Sequence, residues 1–193
     1  MSVLHALEAP PDHLARVGER LREVTVEVGT GDGSGAGILW APELIVTNAH
    51  VARAASLRVR LADDRQLPAT RVAADRRADL ALLRVPRTRV VLASLADSDS
   101  VRVGSLVVAL GHPLGLRSLL TAGVVHALGP LGPGGRRWIQ ADLRLAPGNS
   151  GGPLADTGGH VVGLNTMIAG GLALAIPIND VRAFVSGALA RSP

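Results

Sequence analysis

The stretch WIQADLRLAPGNSGGPL, residues 138–154, contains the most informative turn of the chain, PGNSGGP at residues 147–153. Its serine, Ser150, stands among three glycines. Glycine adopts positive φ and lets another backbone approach closely. Successive N–H groups of such a turn can point into one concavity and stabilise an oxyanion there. The turn therefore suits a nucleophilic serine, although the same glycines would also suit a structural turn between two strands.

Two further motifs precede this turn. TNAHV at residues 47–51 places His50 at the end of an apolar run, and RRADLALL at residues 76–83 places Asp79 just before another. Alone, the histidine could be structural and the carboxylate could belong to an ordinary turn. With Ser150 they supply a nucleophile, its base and the group that fixes the base's tautomer, in the chain order of the chymotrypsin arrangement.

The pattern of apolar residues and turn residues along the chain predicts an all-β fold. From residue 25 onward, short apolar runs alternate with turns rich in the 23 glycines and 12 prolines. About a dozen short strands at regular spacing are typical of an antiparallel barrel or sandwich. The acidic, serine-rich segment DSDS, residues 97–100, is the predicted boundary between two lobes.

A short helix is predicted at each end of this β-rich body. The sequence PPD at residues 10–12 offers a helix start, and apolar residues follow at helical spacing through residue 24. We expect residues 1–23 to form a helical arm and residues 24–188 to form one domain. Within that domain, an Asn-Asp pair begins a predicted C-terminal helix at residues 179–190.

Composition excludes several classes of protein. With 193 residues, 47% of them hydrophobic and 19% charged, the chain is long and apolar enough to fold around a core. It has no cysteine, which excludes disulfides, thiolate zinc sites and a cysteine nucleophile. No stretch resembles a signal peptide or a membrane span, so a cytoplasmic location is expected. An exported protein that had lost its leader would leave the same sequence.

Nucleic acid, metal and cofactor binding are not predicted. The net charge is only +4, and the basic residues, all arginine, are spread in ones and twos rather than in a basic run. The remaining histidines of interest, His112, His126 and His160, form no pair spaced for a helical metal site. We therefore expect His112 to lie in a turn and the other two to lie on or near strands.

The chain resembles the protease domain of the HtrA/Deg family of trypsin-like serine proteases between residues 25 and 184. The matching stretches are GSGAGIL, LIVTNAHV, RRADLALLRV, LADSDSVRVGSLVVALGHPLGL, LTAGVVHALG, WIQADLRLAPGNSGGPL, GHVVGLNTMI and LALAIPINDV. The resemblance implies the chymotrypsin fold, two six-stranded antiparallel barrels with an active site in the cleft between them. The barrels are expected at about residues 24–97 and 101–178.

Matched positions imply the catalytic roles. His50 corresponds to the general base, Asp79 to its orienting carboxylate and Ser150 to the nucleophile. The backbone N–H groups of Gly148 and Ser150 correspond to the oxyanion hole. The residue before the serine is the uncharged Asn149, and no Ile-Val-Gly-Gly sequence exists, so activation by zymogen cleavage is not expected.

Other matched positions imply substrate contacts. Thr166 lies where the family has a residue that supports the buried aspartate. Met167 and Ile168 are expected on an edge strand that pairs with an extended peptide. Leu145 is expected to line the primary specificity pocket, with further walls from residues 167–174, and to favour small or aliphatic side chains. Arg144 occupies the position at which trypsin carries its pocket aspartate.

An inward-pointing Arg144 would favour acidic substrates, but burial of an unpaired charge is costly. We expect Arg144 to face solvent or to pair with Asp142.

The sequence therefore predicts a serine endopeptidase that cleaves unfolded or flexible polypeptides through an acyl-enzyme, as in protein quality control. The alternative is a chaperone-like binding module, a protease fold that rests in an inactive state. The resemblance is to the protease domain alone, without the PDZ domain that is its usual companion in the family. The N-terminal segment lacks the aromatic residues that commonly help to build the family's trimer, so assembly into a homo-oligomer is left open.

Overall fold

A computed structural model describes residues 13–30, 33–54, 56–113, 116–132 and 135–191. The first helix, α1, spans His13–Val24. The predicted helix start at residues 10–12 lies outside the described residues. Val17, Leu21 and Val24 form the buried face of α1, as their helical spacing predicts. No helix in the described part of the chain is long and apolar enough to cross a membrane.

The first closed barrel follows α1 directly. Its strands pair antiparallel in the order β1-β2-β3-β6-β5-β4. They are β1 Thr25–Thr30, β2 Gly33–Ala41, β3 Leu44–Thr47, β4 Ser56–Arg60, β5 Gln66–Asp75 and β6 Leu80–Arg84.

The second closed barrel has the order β10-β11-β12-β9-β8-β7 and is also antiparallel throughout. The strands of the second barrel are β7 Leu106–Gly111, β8 Leu119–Pro130, β9 Arg137–Asp142, β10 Pro153–Asp156, β11 Val161–Ala169 and β12 Leu172–Pro177. A 3₁₀ turn at Ser98–Ser100 lies between the two barrels, and the helix α2, Ile178–Ala190, follows the second barrel. The predicted fold, two six-stranded barrels with a short helix at each end, is confirmed.

The apolar runs from which the sequence predicts about a dozen strands do not include β10. The sequence PLAD is short, and proline and aspartate are both disfavoured in strands. It is a strand because β7 and β11 both pair with it, and this pairing closes the barrel. Since β10 begins three residues after Ser150, its ladders also anchor the glycine turn to the second barrel.

Aliphatic side chains fill both barrels and the space between them. Each barrel encloses its own buried cluster, and a third cluster joins the two barrels to the two helices. This shared cluster includes Leu21, Ile38, Leu110, Ile176 and Val185. Burial of one such side chain contributes roughly 1.5–3 kcal/mol, so the cluster fixes one barrel against the other.

Trp138 lies within the shared cluster and is only 8% exposed. The guanidinium of Arg136 lies 4.7 Å from the centre of its ring. The tryptophan therefore packs in the cluster that joins the two barrels.

Gly123 marks the closest approach of β8 to the neighbouring β9 backbone. A Cβ atom at this position would overlap the carbonyl oxygen of Asp142 and lie 3.0 Å from the Leu143 side chain. Backbone cannot move aside as a flexible side chain can, so only glycine fits here without displacing β9.

The substitution Gly123→Ala is expected to lower the free energy of unfolding by about 1–3 kcal/mol, the usual cost of overpacking. Thermal and urea denaturation measure it. Gly132→Ala is the matched control, because a Cβ there has no neighbour within 4 Å. Equal stability of the two variants would contradict the close approach.

Candidate active site

Strand pairing brings His50 and Asp79 together in the first barrel. Thr47, the last residue of β3, pairs with Ala81 in β6. The residues that follow β3 and those that precede β6 therefore lie at the same edge of the barrel. His50 and Asp79 occupy these two positions, as the sequence motifs suggested.

The carboxylate of Asp79 holds His50 by two bonds. Nδ1 of the imidazole lies 2.8 Å from Oδ2, and the backbone N–H of His50 donates to Oδ1 at 3.0 Å. The side-chain amide of Asn48 donates to the backbone carbonyl of Asp79 at 2.9 Å. Asp79 has a φ of +52°, a left-handed conformation that aspartate tolerates better than most residues. The local backbone is thus shaped to present the carboxylate to the histidine.

Thr166, in β11 of the second barrel, completes the surroundings of this carboxylate. Its hydroxyl donates to Oδ2 of Asp79 at 2.6 Å. Burial alone would raise the pKa of Asp79, but the hydrogen bonds from His50 and Thr166 outweigh it and hold the pKa below the ordinary 3.8. An ionised carboxylate only accepts hydrogen bonds, so Nδ1 of His50 carries a hydrogen and Nε2 presents its lone pair.

Ser150 lies in the glycine turn of the second barrel, which docks on the first. The backbone N–H of Ala36 in β2 donates to the Ser150 carbonyl at 2.8 Å. The Ser150 hydroxyl donates to the backbone carbonyl of Thr166 at 2.9 Å. A hydroxyl has one hydrogen, so the proton must leave this acceptor before it can pass to His50.

The glycine turn depends on the backbone conformation of Gly148. Gly148 has a φ of +108°, and a Cβ there would lie 2.5 Å from the His112 carbonyl oxygen, so glycine is required. The N–H groups of Asn149, Gly151 and Gly152 donate to backbone carbonyls. Those of Gly148 and Ser150 have no acceptor among the described residues. These are the two donors that sequence analysis assigned to the oxyanion hole.

An apolar pocket of about 260 Å³ adjoins Ser150. Its lining includes all four predicted substrate-binding residues, Leu145, Thr166, Met167 and Ile168. Of the further walls expected from residues 167–174, only Met167 and Ile168 line the pocket. Arg144 is exposed and does not line the pocket. Its side chain faces solvent, one of the two orientations that the sequence suggested.

The strand that carries Met167 and Ile168 is not an edge strand of the barrel. β11 pairs with β10 on one side and with β12 on the other. The ladder with β10 ends at Leu164, whereas the ladder with β12 continues to Ala169. In the described part of the chain, residues 166–169 therefore leave one backbone edge unpaired by a strand, directly beside Ser150.

Comparisons with known proteins agree with this site. The family model of the trypsin-like peptidase domain matches residues 35–164. The chain is 40% identical over 165 residues to the periplasmic serine endoprotease DegP of Salmonella typhimurium, covering 80% of this chain and 35% of the relative. It is 41% identical over 158 residues to the mitochondrial serine protease HTRA2 of Drosophila grimshawi, covering 77% and 37%.

A solved structure of the HtrA-type protease AlgW with a tripeptide has a TM-score of 0.85 at 29% identity, covering 91% of this chain and 63% of that one. The chain spans a little over a third of the length of the curated relatives named above. It belongs to the family of trypsin-like peptidases. The predicted resemblance to the HtrA/Deg serine endopeptidases is confirmed.

His112 holds the glycine turn through a backbone hydrogen bond to Gly148, a role that sequence analysis did not assign. Its backbone N–H donates to the Gly148 carbonyl at 3.1 Å, and its imidazole is buried at 3% exposure. Nδ1 accepts from the backbone N–H of Ser118 at 3.2 Å. Burial lowers the pKa of His112; the charge of Glu27 opposes this shift and that of Arg117 adds to it. The imidazole is therefore neutral behind the turn.

We expect stability to fall as the pH is lowered from 7.5 towards 5. The unfolded chain takes up a proton at His112 near the ordinary pKa of 6.5, whereas the folded chain resists it until lower pH. The stabilisation is complete above 6.5 and is lost as the pH falls towards the folded pKa. Asp79, whose pKa is lowered from 3.8, loses its contribution only at more acid pH.

The measurement is urea unfolding at several pH values. His112→Asn can keep an acceptor for Ser118 and should flatten the dependence, whereas the exposed His126→Asn should retain it. An equal slope in wild type and His112→Asn would contradict the assignment.

Proposed function

We propose that the chain is a serine endopeptidase that cleaves unfolded or flexible polypeptides through an acyl-enzyme. The observation that carries the proposal is the shared carboxylate of Asp79. It accepts from His50 and from Thr166, and Thr166 in turn accepts from the Ser150 hydroxyl. The three predicted catalytic side chains are thus joined through one residue of β11.

The chemistry follows from this geometry. Asp79 keeps the His50 hydrogen on Nδ1, so Nε2 takes the proton of Ser150 as Oγ attacks the substrate carbonyl. The N–H groups of Gly148 and Ser150 stabilise the resulting oxyanion. His50 then gives the proton to the leaving amine, which departs and leaves the acyl chain on Oγ. Water hydrolyses this ester by the same proton transfers in reverse.

An extended substrate also explains how the serine is released from Thr166. A peptide lying along the unpaired edge of residues 166–169 would offer its own N–H to the Thr166 carbonyl. The Ser150 hydroxyl would then be free to turn towards His50. Only a segment without its own secondary structure can add as a strand in this way, which favours unfolded or flexible substrates.

The apolar pocket supports a preference for small or aliphatic side chains on the acyl side of the cut. Leu145 and Met167 offer hydrocarbon and no charge, and Arg144 lies outside the pocket. A role in protein quality control is our proposal from the resemblance to the HtrA/Deg proteases. The expected cytoplasmic location and any assembly into a homo-oligomer stay predictions from the sequence.

The second candidate, a chaperone-like binding module, draws support from the same bond. In the structure the Ser150 hydroxyl donates to the backbone carbonyl of Thr166. If bound peptide did not displace it, the chain would hold polypeptide without cutting it. Reaction with a fluorophosphonate separates the two functions: rapid labelling of wild type supports the protease, and binding of unfolded polypeptide without labelling supports the module.

Ser150→Ala is expected to abolish peptide cleavage and labelling, a loss of about 10⁶-fold in kcat, because no other group can form the acyl-enzyme. A fluorogenic peptide assay measures the rate, and circular dichroism checks that the variant is folded. Ser56→Ala, at an exposed position on β4, is the matched control. Undiminished turnover by purified Ser150→Ala would overturn the nucleophile assignment.

Thr166→Val is expected to reduce kcat roughly tenfold or more, because a charge-assisted hydrogen bond to a carboxylate is lost. Without that bond the pKa of Asp79 rises, because one of the groups that stabilise its charged form is lost. Thr166→Ser restores the hydroxyl and should restore the rate. An equal kcat in all three proteins would show that the hydroxyl does not act through Asp79.

A further inference from the structure

A second cavity, of about 590 Å³, adjoins His50 and Asp79. Three arginines, Arg53, Arg71 and Arg76, line it together with these two residues and two alanines. We call it the arginine cavity. It shares no lining residue with the apolar pocket, and the catalytic mechanism uses none of its arginines.

One of the three guanidiniums is held in place. Arg71 donates to the backbone carbonyls of Ala52 and Arg53, each at 2.6 Å. These acceptors orient the group without neutralising its charge.

The other two arginines, Arg53 and Arg76, are exposed residues. Among the described residues, Arg53, Arg71 and Arg76 form no ion pair: no carboxylate oxygen lies within 4.0 Å of their side-chain nitrogens. Asp75 precedes Arg76 but uses its Oδ1 on the backbone N–H groups of Arg77 and Ala78.

The one carboxylate in the cavity does not balance these charges. Asp79 supplies one negative charge against three guanidiniums, and its oxygens already accept from the backbone of His50, the imidazole and Thr166. The arginine cavity therefore carries a net positive charge next to His50.

The position of the cavity relates it to the substrate. Asp79 forms part of its wall and bonds to Thr166, which lines the apolar pocket. A peptide with one side chain in the apolar pocket would thus carry a neighbouring side chain past His50 towards Arg53 and Arg76. A carboxylate at that neighbour could accept charge-assisted hydrogen bonds from these guanidiniums.

We propose that the arginine cavity is a subsite for an acidic side chain, Asp or Glu, next to the residue that fills the apolar pocket. The inference rests on the proposed function and adds a second specificity determinant to it. Because two of the three arginines are exposed residues, the attraction is modest and is screened by salt.

The test uses fluorogenic peptides with Val for the apolar pocket and either Glu or Gln at each neighbouring position in turn. At one position, kcat/KM for the Glu peptide should exceed that for its Gln partner by about two- to tenfold at low ionic strength. The ratio should fall towards 1 in about 0.5 M salt, where the screening length is a few ångströms.

Variants locate the source of the preference. Arg53→Gln and Arg76→Gln should each bring the Glu-to-Gln ratio closer to 1, and Arg76→Glu should bring it to 1 or invert it. Arg102→Gln removes an exposed arginine of the second barrel and should keep the wild-type ratio. Arg144→Gln should also keep the wild-type ratio. If the Glu preference were lost in Arg144→Gln, it would come from the loop beside the apolar pocket, and the inference would be overturned.

Two outcomes separate this inference from the proposed function. Cleavage with equal rates for Glu and Gln at every position would overturn the subsite and leave the endopeptidase intact. If no peptide is cleaved, the proposed function fails, and fluorescence anisotropy of the same peptides on the wild-type chain then decides the subsite. Tighter binding of the Glu peptide, weakened by Arg76→Gln, would support it, and equal binding would overturn it.

Discussion

The hydrogen bond from the Thr166 hydroxyl to the Asp79 carboxylate is the interaction on which the site depends. It joins the second barrel to the first and gives the partly buried carboxylate a hydrogen-bond donor. Without such a donor, burial of the charged group would be costly. With this bond the carboxylate stays ionised, fixes the His50 tautomer and ties the histidine to β11. Since Thr166 also accepts from Ser150 and lines the apolar pocket, one residue links the base, the nucleophile and the substrate surface.

The glycine turn meets a second constraint, because three different elements hold it. Ser150 accepts from Ala36 of the first barrel, Gly151 donates to Asn165 of β11, and Gly148 accepts from His112 after β7. Glycine is needed at Gly148 because the His112 backbone leaves no room for a Cβ. These bonds hold the turn in place without a zymogen-type ion pair, which Asn149 could not form.

The two cavities beside the triad differ in character. The pocket at Ser150 is apolar, whereas the cavity at His50 and Asp79 is lined by three arginines. Along the chain these arginines stand apart, and the sequence was correctly interpreted as lacking a basic run. The turn after β3 and the hairpin of β5 and β6 bring them together. A protein of modest net charge can in this way concentrate charge at one point of its surface.

The sequence by itself determined the elements whose signals are local. Short apolar runs between turns predicted the strands other than β10, and helical spacing predicted α1. Residue type and chain order identified His50, Asp79 and Ser150. Three features depended on tertiary structure: the strand at Pro153–Asp156, the hydroxyl of Ser150 directed at Thr166, and the support of the turn by His112. The arginine cavity is a fourth. Each depends on which strands and loops of the closed barrels become neighbours. Hydrophobic periodicity predicts that a segment is a strand or a helix, but it does not tell which distant segment will lie beside it.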